Sequence, residues 1–454
     1  MHSEPALVRC LNLKDAIAVN MVTMIGSAIF VTIPLVLTAM GGPQAFLAWI
    51  AGMLLCLADG FVWAELGVAL PEAGGTYVYL AKAFGQRWGR PISFVFLWGT
   101  AIIAPLIGAY VAVSFAQYTG YFWSSMTPAQ SKLLAASVCV ITTILLYREV
   151  ASVARLSRVI MVIVVFTLVW IVITGLWHFD SKLAFDFPPH AFQFSKAFLA
   201  GLGSATIIAA LDYGGYCTVC LVAGEVDRPA FTIPRSIIYS ILLLGVFYLL
   251  ISMTIIGVIP WREAARSTTV VTDFFGRVHG SFVAGVSAVL ILIATAGCLY
   301  TSMLGFSRVL YAGAVDGQFF ARFAQLHPVK RFPSFAVVVL GGLSAALCVL
   351  DLDYLIKAIS AVGALTGTIP QVIALLVIRR YRREIALPYR MPLYPLTAAA
   401  ALAGWIAVFF ANDRFVLNTA CAIYAAGIGL YLFRAHRSME WPFRGAQTRA
   451  SSAS

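Results

Sequence analysis

The sequence predicts an all-α integral membrane protein with about twelve transmembrane helices. Of the 454 residues 61% are hydrophobic and only 11% charged, at a mean hydropathy of +0.91. The apolar residues fall in about twelve runs long enough to cross a bilayer, which takes roughly 20 residues in a helix. Lys and Arg segregate to alternate loops, as in multi-pass proteins. A soluble chain averages roughly 45–50% apolar and about 25% charged residues, so polar surface here is too scarce to wrap a water-soluble core.

Pro, Gly and charge bound the runs. The first covers 14–40, from Lys14 to the Gly41-Gly42 pair, and the second 43–70, ending before Pro71 and Glu72. The third is 88–117 after Arg87, the fourth 131–147 before Arg148, and the fifth 152–177 before His178. The sixth is 196–223 before Glu225, the seventh 235–259 before Pro260, and the eighth 281–312 after Gly280. The last four are 334–351 after Pro333, 354–378 before Arg379, 393–411 before Asp413, and 415–434. With the N-terminus cytoplasmic, 23 of the 31 basic residues lie in inside segments and 8 in outside ones. That bias predicts an even span count with both termini cytoplasmic in the cell membrane.

The same composition excludes other classes. No polar stretch is long enough for a separate catalytic or DNA-binding domain of roughly 100 residues. The net charge of +12 therefore points to anionic membrane lipid and not to nucleic acid. Cysteines such as Cys56, Cys139, Cys217, Cys220, Cys298, Cys348 and Cys421 sit in apolar runs, where a thiol is a small hydrophobe. One C-x-x-C, Cys217 and Cys220, makes no metal site alone, and the six histidines fall in loops or ends. No metal, cofactor or catalytic residue is expected, and the first apolar run is too long for a signal peptide.

Transporters often break two helices at matching positions of two inverted repeats, exposing backbone polar groups at mid-membrane. The first run reads Met24-Ile25-Gly26-Ser27-Ala28-Ile29-Phe30 and the sixth Leu211-Asp212-Tyr213-Gly214-Gly215-Tyr216, each near its middle. Two readings stand: the glycines break the helices, or they let neighbouring helices pack closely.

Several segments resemble the amino acid, polyamine and organocation (APC) transporter superfamily. They are Gly26-Ser27-Ala28-Ile29-Phe30; Glu65-Leu66-Gly67 with Pro71, Gly74-Gly75, Tyr77, Tyr79-Leu80 and Gly85; Tyr213-Gly214-Gly215 with Glu225-Val226, Pro229 and Pro234; and Ser307-Arg308-Val309-Leu310-Tyr311-Ala312 with Asp316-Gly317, His327-Pro328 and Pro333. The resemblance implies a LeuT-type 5+5 inverted repeat with broken helices 1 and 6. It also implies secondary transport of amino acids or related amines by alternating access. The repeats would be 14–177 and 196–378, with 393–434 holding the last two spans and 1–13 and 435–454 the tails.

On that reading the N–H groups opening the second half-helix, at Ser27, Ala28 and Ile29, suit a substrate carboxylate. The carbonyls near Thr23, Ile25, Leu211 and Asp212 suit its ammonium, and Gly26, Tyr213, Gly214 and Gly215 complete the site. Departures from the family pattern are Ala28 in place of a glycine, Leu211 in place of an aromatic gate, and no basic residue between Val159 and Trp170. Occlusion would pass to Tyr213, Tyr216 or an aromatic of another span, and the coupling ion, H+ or Na+, stays open.

Three acidic residues lie well inside the runs, where a carboxylate costs about 2.5–3.5 kcal/mol on insertion scales. Tyr216, Asp59 and Glu65 are the candidates for a gate or for ion coupling; Glu65 is expected to make a cytoplasmic hydrogen bond or salt bridge, and Asp59 to serve different neighbours. Asp212, at the sixth-run break, either meets the ammonium, holds a cation or cycles a proton, or caps freed N–H groups. Asp212→Asn is expected to abolish or reverse the pH dependence of uptake. The run Arg379-Arg380-Tyr381-Arg382-Arg383 is expected to face lipid. The competing cargo is a polyamine or cationic amino acid, and the competing classes are a non-transporting sensor and, least favoured, a membrane enzyme.

Overall fold

The computed structural model describes residues 11–25, 28–72, 75–146, 150–328, 332–438 and 441–443, with backbone only at 22, 28, 86 and 150–161. Gly26, Ser27, Gly74, Arg148, Lys330, Arg331 and most of both tails therefore lie outside the described residues.

In chain order the helices are α1 (Leu13–Met24), α2 (Ala28–Met40), α3 (Phe46–Ala69), α4 (Thr76–Thr119), α5 (Pro128–Leu145) and α6 (Val150–Trp177). Then come the short α7 (Ser181–Ala184), α8 (Lys196–Asp212), the short α9 (Thr218–Leu221), α10 (Pro229–Ile256), the short α11 (Trp261–Ala264) and α12 (Val270–His279). The rest are α13 (Ser281–Val315), α14 (Ser334–Leu347), α15 (Leu352–Gly363), α16 (Ile369–Tyr381), α17 (Leu396–Phe410) and α18 (Arg414–Arg437). Among the described residues there is no strand beyond a single bridge, Leu11 to Val226. Among the described residues seven helices are long and apolar enough to cross a membrane, and four shorter apolar helices lie in the first, fifth, ninth and eleventh runs.

Local chemistry sets the helix ends. Asn12 caps α1 through its side-chain oxygen to the Lys14 and Asp15 amides, and Asp15 answers on the Asn12 amide. Thr127 and Gln130 form the same reciprocal box on α5, and Ser195 caps α8. Gly85, at φ +66°, bends α4 beside the Arg382 guanidinium, which donates to the Ala83 carbonyl. Small residues set close crossings: Gly52 of α3 lies on Ala209 of α8, and Gly201 of α8 on the Ala39 carbonyl of α2.

Two interruptions shape the centre. Between α1 and α2 the helix stops at Met24 and resumes at Ala28; between α8 and α9 it stops at Asp212 and unwinds through 213–217. The second falls at the Gly214-Gly215 step, and the first adjoins Gly26-Ser27, which lie outside the described residues. The inner pieces are tied together, since the Asn20 side chain of α1 accepts the Val219 amide of α9 at 2.9 Å. The chain before α1 pairs with the segment after α9 through Leu11, Glu225 and Asp227.

Candidate substrate cavity

The two breaks meet. Gly215, at φ +111°, packs on Thr23, and a β-carbon there would lie 3.0 Å from the Thr23 backbone carbon. Beside this contact lies a cavity of about 410 Å3. Its lining includes Thr23 of the first break and Leu211, Gly214, Cys217 and Thr218 of the second. Phe96 and Thr100 of α4, Thr301 and Ser302 of α13, and Ser360 of α15 complete much of the wall. Among the described residues no Asp, Glu, Lys, Arg or His lines it. Several hydroxyls donate to their own helix, as Thr301 does to Gly297 and Thr218 to Gly215, and so present lone pairs to a ligand.

The cavity runs from the breaks towards Trp63 and Thr76, on the face where α1 begins. Beyond the breaks pack three fully buried aromatics. Tyr248 of α10 packs at a tilt against Trp49 at 5.4 Å and Tyr213 at 5.2 Å between ring centres, and Tyr213 donates to the Trp49 carbonyl. Tyr118 of α4 adds a bond to the Phe30 carbonyl at 2.6 Å.

Of the residues predicted to bind substrate, Thr23, Leu211 and Gly214 line this cavity, and Ile25 lines a second pocket of about 290 Å3 with Lys14 at its edge. Ile29 and Tyr213 are buried in the packing and Gly215 sits at the break contact. Gly26 and Ser27 are not described, nor is the Ala28 side chain. Asp212 is buried and is not among the residues that line the cavity. Its carboxylate accepts the Thr32 hydroxyl of α2, while Oδ1 has no partner among the described residues. A donor on the adjoining half-helix satisfies it better than an open cavity, because a buried acceptor needs a bond.

Asp59 and Glu65 serve different neighbours, as expected from six positions of a helix. Asp59 accepts the Tyr216 hydroxyl at 2.5 Å. Glu65 is fully buried and takes a fork from Arg379 of α16, with both N–O distances 2.6 Å, plus the Met391 amide at 2.8 Å. The lipid-facing expectation for Arg379–Arg383 thus fails at Arg379, which is drawn inward by the carboxylate and lies over the Tyr394 ring. Arg382 is likewise turned onto Ala83.

Sequence reasoning missed two features. Tyr248 shares its single phenol proton between the carbonyls of Asp212 at 2.9 Å and Met24 at 3.2 Å, the last residues of the two interrupted helices. Nothing in an apolar run marks such a tyrosine. The other is a wide turn at Ala364–Thr368 that puts Thr366, Gly367 and Thr368 on the cavity wall; its small polar run was the available signal. Tyr248→Phe is expected to cost about 1–3 kcal/mol, since it strands buried carbonyls. A melting curve of the purified protein that matches the wild type would contradict this.

Comparison with known proteins agrees with this arrangement. A family profile described as "Amino acid permease" matches residues 11–433. The serine/threonine exchanger of Bacillus subtilis (strain 168) is 25% identical over 447 residues, covering 95% of this chain and 98% of its own. The branched-chain amino acid permease of the same organism is 23% identical, covering 88% and 87%. The cationic amino acid transporter 4 of Mus musculus is 23% identical, covering 79% of this chain and 58% of its own. With a multi-pass helical build, two facing helix breaks and a family match along nearly its whole length, the chain belongs to the amino acid permeases of the APC superfamily.

Proposed function

We propose that this protein is a secondary active permease that moves neutral amino acids across the cell membrane by alternating access, as a proton-linked symporter or an exchanger. The observation that carries it is the cavity bounded by both helix breaks and free of charged side chains among the described residues. Its volume falls within the roughly 300–1,000 Å3 usual for small-molecule sites. The substrate carboxylate is assigned to the N–H groups opening α2, at Ala28 and Ile29. Its ammonium is assigned to the carbonyls of Thr23, Ile25 and Leu211, and a neutral side chain to the Phe96, Thr100 and Ser360 side of the wall. The architecture we propose has twelve spans in two inverted five-span repeats plus two, with both termini cytoplasmic. The cavity then opens inward and the Trp49–Tyr213–Tyr248 cluster closes the outer side.

The rival cargo, a polyamine or cationic amino acid, would need an acidic side chain in contact with it, because a buried unpaired cation is costly. Asp59 and Asp212 both lie behind the cavity wall. A panel of labelled amino acids and putrescine in proteoliposomes, with imposed pH and sodium gradients, tests the reading. Neutral amino acids are expected to be taken up and to compete with one another. Putrescine uptake without competition by neutral amino acids would transfer the assignment to the rival. Binding in a thermal-shift assay without any flux or counterflow would make the protein a sensor.

A further inference from the structure

Asp59 lies near the middle of α3 and is fully buried. Its Oδ2 holds the Tyr216 hydroxyl, and Oδ1 has no partner among the described residues. The titratable groups facing it are Tyr216 and Cys217 from the unwound segment and Cys56 from its own helix. From α10, Ile237 and Ile241 pack on the adjoining Gly60, and the indoles of Trp405 from α17 and of Trp63 are turned towards the carboxyl as donors. No basic side chain pairs with it among the described residues. A bare carboxylate is unstable in such surroundings. One phenol oxygen is also too little to complete a hard-cation site, which for divalent ions takes about six oxygens or more. A proton satisfies the group with nothing further.

The position is as telling as the chemistry. Tyr216 stands between Gly214 and Cys217, both on the cavity wall, and Trp63 and Trp405 line the same cavity. Asp59 is therefore one layer of side chains from the substrate, and its donor rides on the segment that joins α8 to α9. Asp212 differs, since it is held by Thr32 and neighboured by the phenols of Tyr110, Tyr213 and Tyr248.

We propose that Asp59 is the proton-coupling carboxyl of the transport cycle and that the Tyr216 hydroxyl is its latch. The proposal rests on the permease reading above. A proton from cavity water adds to Oδ1 and leaves the carboxyl neutral; on the return it departs to water as Tyr216 again donates to Oδ2. No covalent bond other than O–H forms or breaks.

The test uses the full chain in proteoliposomes holding a pH-sensitive dye, with a neutral amino acid that the panel shows to be carried. Substrate addition is expected to bring protons into the lumen with the wild type. Asp59→Asn lowers the protons moved per substrate at least tenfold, and Asp59→Glu restores more than half. If Asp59→Asn carries no substrate, Tyr216→Phe decides. It keeps the carboxyl and removes the latch, so proton entry without substrate is expected to rise at least threefold. A wild-type ratio in Asp59→Asn, or wild-type ratio and leak in Tyr216→Phe, overturns the proposal. So does loss of proton movement in Asp212→Asn alone, which would move the assignment to Asp212. Amino acid uptake by the wild type with no proton movement refutes the coupling and leaves the permease reading standing. No uptake or counterflow of any amino acid refutes the permease reading itself.

Discussion

Arg379→Met is expected to destabilise the protein by about 3–5 kcal/mol, the range for removing one partner of a buried ion pair. Glu65 has no exposed surface, and the Arg379 side chain is 16% exposed. The loss leaves a carboxylate with only the Met391 amide as a donor. This pair joins the end of α3, the end of α16 and the loop before α17, so the damage should spread beyond one helix. Melting of the purified protein measures it. The double variant Glu65→Leu/Arg379→Met is expected to recover much of the loss, because replacing both charges by apolar groups removes the desolvation problem together with the attraction. A double variant no more stable than Arg379→Met would show that the site is held by packing alone.

Gly215→Ala is expected to reduce uptake at least tenfold while the protein still reaches the membrane. At φ +111° an alanine is strained whatever the space around it. The added carbon would also press on the side chain and backbone of Thr23, at 2.9 to 3.0 Å. Strain of this kind costs on the order of 1–3 kcal/mol. That is too little to unfold a chain of this size but enough to push apart the two helix breaks, which on the proposed function meet around one substrate. Gly203, near the middle of α8, has only an ordinary contact at 3.6 Å in place of such a clash. Gly203→Ala is the control and should transport normally. Equal uptake by Gly215→Ala and the wild type would remove the contact between the breaks from the working elements of the protein.

The helices were legible, and the interruptions legible as candidates, because they are written in local composition. Runs of apolar residues bounded by charge and proline define the first, and Gly-Ser and Gly-Gly steps in mid-run define the second. The acidic candidates were legible as a list, since any carboxylate in such a run is conspicuous. Their roles were not. Glu65 and Arg379 are 314 positions apart, and a run of four arginines near Tyr381 gives no sign that one of them turns inward. The place of Asp212 at the break points it towards the substrate, yet a threonine 180 positions earlier takes its carboxylate.

What the sequence by itself determined is the solvent and the segments: burial in lipid follows from summed hydrophobicity, and a helix break follows from neighbours along the chain. Only the tertiary structure decided which groups share a hydrogen bond. Tyr248 reaching both Met24 and Asp212, Tyr216 on Asp59, and the uncharged wall of the cavity depend on distances between helices. Such bonds form within about 3 Å in space, with no regard to separation along the chain.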